Sequence, residues 1–187
     1  MGSGRAGGSR QGLDLVGKLM LRVWLIAWHT GSDAAANALL QRLAGQEFAE
    51  VLHRPAGPAA DLARTIASHH GLQEKALTAD ASGRKEATAS QSLLEPLQAL
   101  CSGEGDERAV CVVMEPEDCQ RAVCEILGLP VGRENAVRLD PGAVNLLLFD
   151  ARRGWMLETA NDTEHLWRWQ ETPQAAAQPA RKHAAES

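Results

Sequence analysis

The chain has 187 residues, 44% of them hydrophobic and 23% charged, a mixture that suits one globular domain with tails. Its formal net charge of −5 argues against a nucleic-acid binder, which needs a basic face, and gives no general attraction to an anionic membrane. No nucleic acid and no membrane insertion are expected; another protein is the expected partner, and a homodimer stays open.

Residues 1–19 are rich in Gly, Ser and Arg and then amphipathic. Asp14, Lys18 and Arg22 interrupt the apolar stretch that runs to Trp28. It is too charged for a transmembrane helix, and no clean apolar region precedes a small-residue cleavage site. A flexible segment (1–19), a folded domain (20–169) and a cytoplasmic location are expected.

Residues 21–27 (LRVWLIA) form a nearly continuous apolar run, the pattern of a parallel strand buried on both faces. Ser32-Asp33 supplies the start of a helix over 34–43, rich in Ala and Leu and ended by Gly45. Residues 48–52 predict a second strand. A helix is predicted over 59–70, where Leu62, Ile66 and His69/His70 recur at helical spacing before Gly71. Residues 78–90 are polar and aperiodic, hence a loop; 91–101 predict a helix and 102–106 a turn. Residues 109–114 (AVCVVM) are a second buried-type strand, followed by a helix over 117–127 that stops at Gly128, with Pro130 beyond. Segments 136–139, 143–150 and 155–159 alternate. They are separated by Asp140-Pro141-Gly142 and Arg152-Arg153-Gly154, which predicts strands joined by tight turns. Residues 170–187 are rich in Ala, Gln and Pro and are expected to be a disordered tail.

Alternating strands and helices predict an α/β fold, a three-layer α/β/α sandwich with a mostly parallel central sheet. The 21–27 and 109–114 strands should be neighbours or nearly so. Ligands of such sheets sit beyond the carboxyl ends of the strands, which points to the segments after Ala27 and Met114. Cys101, Cys111, Cys119 and Cys124 contain no C-x-x-C pair and fit buried reduced thiols better than disulfides or zinc.

Several segments follow one another in a specific order: 42–44 (RLA), 48–55 (FAEVLHRP), 63–72 (ARTIASHHGL), 125–130 (EILGLP), 138–142 (RLDPG), 144–150 (VNLLLFD) and 161–166 (NDTEHL). Together, over roughly 21–166, they resemble the histidine phosphatase (phosphoglycerate mutase-like) superfamily. The resemblance implies a phosphoglycerate mutase-like fold and a known chemistry. An Arg-His-Gly motif after the first strand supplies a nucleophilic His. A second His and two arginines hold the phosphoryl oxygens, and an acidic residue protonates the leaving group.

At each of those positions this sequence departs from the family. Ala27 stands for the first arginine and Trp28 for the nucleophile, and the loop beyond Thr30 is shorter. The post-strand motif reads His53-Arg54-Pro55-Ala56-Gly57-Pro58, with Pro58 where the second arginine belongs. Glu115 replaces the second His. The middle acidic motif is not recognisable unless Glu86 is its relic. The resemblance is thus to a degenerate, shortened member: a pseudophosphatase, not a catalyst, acting as a binding or assembly module. The alternative is a weak or altered phosphomonoesterase using His29, one position past the nucleophile slot.

No catalytic residue is expected among Ala27, Trp28, Pro58 and Glu115. His29, His53, Arg54 and Glu115 are the candidate ligand-binding residues, and no metal or cofactor is expected. Glu117 and Asp118 read as favourable charges at a helix N-terminus, with a carboxylate-based cation site as the less favoured reading. Arg54 and Arg64 read as solvated, and His69-His70 as partners of helix-end carbonyls. Trp167-Arg168-Trp169 reads either as docking the tail onto the domain or as an exposed protein-binding anchor.

Overall fold

A computed structural model describes residues 20–29, 31–55, 57–77, 92, 94–100 and 107–170, with side chains up to 167. The expected loop at 78–90 with Glu86, the turn at 102–106, Cys101, the 1–19 segment and the tail beyond Gln170 lie outside the described residues.

Strand β1 (Met20–Ala27) is followed by α1 (Asp33–Leu43), β2 (Glu50–His53), α2 (Pro58–His69), β3 (Glu74–Ala76), α3 (Leu94–Ala99), β4 (Arg108–Met114) and α4 (Pro116–Ile126). A short 3-10 helix (Glu134–Ala136), β5 (Val144–Asp150), β6 (Gly154–Asp162) and α5 (Glu164–Gln170) complete the described chain. One six-stranded sheet has the order β3-β2-β4-β1-β5-β6. β3, β2, β4 and β1 are mutually parallel; β5 runs antiparallel to both β1 and β6. The two apolar runs pair directly, Val23 opposite Val110 and Ala27 opposite Met114, so the mostly parallel sheet expected from the sequence is found.

Successive residues of a strand point to opposite faces, and β1 divides its side chains accordingly. Leu21, Val23, Leu25 and Ala27 join Leu94 and Leu97 of α3 and Cys119, Ala122 and Val123 of α4 in one core. Trp24 and Ile26, with Trp28 beyond the strand end, join Leu39 and Leu43 of α1 and Leu62, Ala63 and Ile66 of α2 in the other. Helices on both faces make the three layers. None of the described helices is long and apolar enough to cross a membrane.

One local expectation is corrected, and two short elements are additional. Residues 136–139 form no strand. The segment starts on the 3-10 helix Glu134–Ala136 and then buries Leu139 and packs Val137 against the α3–α4 core, so its apolar residues serve packing, not a ladder. β3 was not anticipated, because three residues (EKA) carry no legible period. α5 was not anticipated either; seven residues give too few turns for a periodic signal.

Candidate functional site

β1 and β4 end side by side, and Trp28 N–H donates to the Met114 carbonyl at 2.8 Å. That bond extends the strand geometry one residue beyond β1. Trp28 therefore turns to the α1–α2 face and is only 6% exposed. The chain then folds back over the ring: a β-carbon at Gly31 would lie 2.4 Å from Trp28 Cη2, closer than any side chain tolerates. The indole occupies the ground between the end of β1 and the helices α1 and α2.

His29, the next residue, faces solvent and is 65% exposed at its side chain. Its Nδ1 lies 3.0 Å from Glu115 Oε2. A carboxylate only accepts, so Nδ1 carries the hydrogen and, in a neutral ring, Nε2 keeps its lone pair. Glu115 is the N-cap residue of α4 but makes no capping bond with its side chain. It reaches across the strand ends instead. Its Oε2 meets His29, and its Oε1 would lie 3.1 Å from a β-carbon at Gly57, the N-cap of α2, whose φ of 91° suits a glycine. Pro58 follows as the first residue of α2, a position where proline is preorganised and no donor is lost.

Arg54 is not solvated as the sequence suggested. It leaves β2 toward α4, and its Nε donates to Asp118 Oδ2 at 2.9 Å, with both side chains largely buried. Asp118 Oδ1 accepts from Arg121 at 2.9 Å. Asp118 is thus more than a dipole-matched charge; it ties β2 to α4. His53 Nδ1 donates to the Arg54 carbonyl at 2.7 Å, which fixes that ring's tautomer too. The candidate residues His29, His53, Arg54 and Glu115 all lie at the carboxyl end of the parallel strands, but in separate pairs. Arg54 pairs with the Asp118 carboxylate and His29 with that of Glu115, so neither basic side chain stands free of a carboxylate. Among the described residues, no group of three or more His, Cys, Asp or Glu is arranged to hold a metal ion.

For Asp118, the sequence hid the pairing with Arg54. A second set is Asn145, Asn161 and Asp140. Asn145 is fully buried; its Nδ2 donates to the Leu25 carbonyl at 3.2 Å and its Oδ1 accepts from Asn161 N–H at 2.8 Å. Asn161 has a φ of 55° at the irregular end of β6, and its side chain exchanges two bonds with Asp140. The bond from Asn161 Nδ2, with Arg138 adding to it, holds the Asp140 carboxyl below its ordinary range. The segments that carry the resemblance in the C-terminal half, RLDPG, VNLLLFD and NDTEHL, are thereby joined into one scaffold beside the site.

Elsewhere the thiols of Cys111, Cys119 and Cys124 are buried and free, and burial raises the pKa of each. His70 does not serve the helix-end carbonyls with its Nε2, which is buried without a partner; the ring packs edge-on against Phe48 at 5.0 Å. Trp167 does not dock the chain end. It is 62% exposed, and its Nε1 donates to Thr163 Oγ1.

No protein-family model and no curated protein matches the sequence. Solved structures match the fold. A phosphoserine phosphatase from Entamoeba histolytica superposes with a TM-score of 0.57 at 14% identity, covering 79% of this chain and 98% of that one. A mycobacterial glucosyl-3-phosphoglycerate phosphatase gives 0.55 at 16% identity over 77% and 99%. A phosphoglycerate mutase from Plasmodium falciparum gives 0.50 at 12% over 75% and 89%. The chain has the phosphoglycerate mutase-like fold of the histidine phosphatases.

Proposed function

We propose that this protein is a degenerate histidine phosphatase that no longer transfers phosphoryl groups and works in the cytoplasm as a binding or assembly module for another protein. The observation that carries this reading is the buried indole of Trp28 at the end of β1. In the family this sequence resembles, that position delivers the nucleophilic imidazole. An indole has one donor and no basic nitrogen with which to attack phosphorus. The neighbouring charges support the same reading. Glu115 puts a carboxylate where an active relative needs a cation, and a phosphate dianion is repelled there. Arg54 is engaged by Asp118, and Ala27 and Pro58 supply no cation at all.

The experiment is a turnover assay of the purified chain on a generic aryl phosphate. No hydrolysis above background is expected. Losing members of a cooperative site costs orders of magnitude that the remainder does not restore.

A second reading, a weak phosphomonoesterase, is favoured by one observation. His29 is exposed, with Nδ1 held by Glu115 and Nε2 left as the nucleophilic nitrogen, the arrangement of an oriented base. Turnover that disappears in His29→Ala would establish this reading in place of the first.

A further inference from the structure

His165 sits in the first turn of α5 with 7% of its surface exposed, and neither ring nitrogen has a hydrogen-bonding partner. A buried imidazole without partners is rare, because it forfeits its hydration for nothing in return. Three elements face it. From α1 comes Arg42, whose Nη2 lies 3.2 Å from Asp162 Oδ2 and whose guanidinium stacks 5.3 Å from the centre of the Trp24 ring. From the end of β6 comes Asp162, whose Oδ1 also accepts the Glu164 amide at 3.0 Å and so starts α5. From the turn before β5 comes the Gly142 backbone, which favours the protonated ring; a β-carbon at Gly142 would lie 3.1 Å from Leu166 Cδ1. Glu164 is the titratable neighbour on α5 itself.

The Asp162 carboxylate is therefore already used twice when His165 is neutral. A proton on His165 would place a second positive charge beside the Arg42 guanidinium, on a ring only 7% exposed whose nitrogens make no hydrogen bond, and the Asp162 carboxylate and Gly142 backbone offset only part of that cost. Burial lowers the His165 pKa most strongly; Asp162 and the Gly142 backbone pull upward and Arg42 downward, and the net direction is down. α5 is short and terminal among the described residues, so it opens at less cost than the sheet. Opening hydrates the imidazolium without breaking any strand pairing.

We propose that His165 makes the docking of α5 onto α1 acid-sensitive: protonation expels the imidazole from its contact with Arg42 and Asp162, and α5 leaves α1 while the sheet stays folded. This device does not depend on whether the strand-end site is catalytic.

The test is amide hydrogen exchange of the full chain at about pH 7.5 and about pH 5, corrected for intrinsic exchange. Amides of 164–170 should lose protection several-fold in acid while those of 108–114 in β4 keep theirs. His165→Gln should make α5 protection independent of pH over that range. Unchanged α5 protection in the native chain, the same acid response in His165→Gln, or joint loss from α5 and β4 would each overturn the proposal. Should the variant fail to fold, the ring resonances of His165 in the native chain decide. A titration midpoint below the ordinary histidine value supports the device, and a midpoint at or above it removes it.

Discussion

Gly31 lies against the face of Trp28 so closely that a β-carbon there would come within 2.4 Å of Cη2 and 2.5 Å of Cζ2. The turn after β1 and the indole are therefore one packed unit, and each sets what the other tolerates. Trp28→Ala removes a buried ring and leaves a cavity between β1, α1 and α2. A loss of about 3–5 kcal/mol is expected, a drop in melting temperature of roughly 10 °C for a chain of this size. Thermal melts with tryptophan fluorescence read this directly. An unchanged midpoint, with weakened association to some partner, would mean that the ring serves binding instead.

Gly31→Ala should act from the other side of the same contact. The rigid indole cannot yield by rotating a flexible end, so the turn must move, at a cost of about 1–3 kcal/mol. Combining Gly31→Ala with Trp28→Ala should recover part of that loss, because the second change removes what the methyl strikes. Strict additivity in denaturant titrations of the double variant would contradict the contact.

Glu115→His should not restore hydrolysis, because Ala27, Trp28 and Pro58 remain. It should remove one repelling carboxylate and release His29, permitting weak phosphate or sulfate binding measurable by calorimetry. Tight phosphate binding by the unaltered chain would refute the account of the strand-end carboxylates.

Asn145→Ala strips a fully buried amide that serves both the Leu25 carbonyl and the Asn161 amide. Leaving such groups unsatisfied costs about 1–3 kcal/mol each, so a destabilisation of about 2–4 kcal/mol is expected by urea unfolding. A near-neutral result would show that water replaces the side chain.

Stability should fall in two acid steps. Burial lowers the pKa of His165 and of His70, where the neighbouring His69 adds to the effect. Their contribution is complete above the unfolded-state pKa, near 6.5, and is lost as pH falls from there toward the lower folded values. Asp140 is held low by Asn161 and Arg138. For Asp162 burial acts upward, but the Glu164 amide and Arg42 outweigh it. These carboxyls contribute above about pH 4 and lose their contribution as pH falls through their folded values. Chemical denaturation as a function of pH should show both declines, with the first reduced in His165→Gln.

The layers were legible because apolar runs as long as LRVWLIA and AVCVVM admit few readings other than buried strands. Their pairing followed from the strand–loop–helix unit that each begins. The burial of Trp28 was also legible, since a bulky ring in a cleft position must fill it. What the sequence hid was partnership across distance. Nothing near Arg54 marks Asp118 as its partner, and nothing near Asn145 marks Asn161. The alternation at 136–139 predicted a strand because four residues alternate in the same way whether they pair in a ladder or pack against a core, as Val137 and Leu139 do. His165 was read only as part of a motif, for the charge that bears on it, Arg42, lies more than a hundred positions earlier.

The sheet order also governs how the chain is made. Val23 lies between Val110 and Leu147, so the earliest strand among the described residues occupies the centre of the sheet. Neither of its edges can be closed until β4 and then β5 have been synthesised. Long-range pairing of this kind slows folding and leaves sticky edges open meanwhile. The apolar run of β1 must therefore stay shielded through most of translation, and a transcript truncated before residue 144 would yield a chain whose central strand never finds its second neighbour.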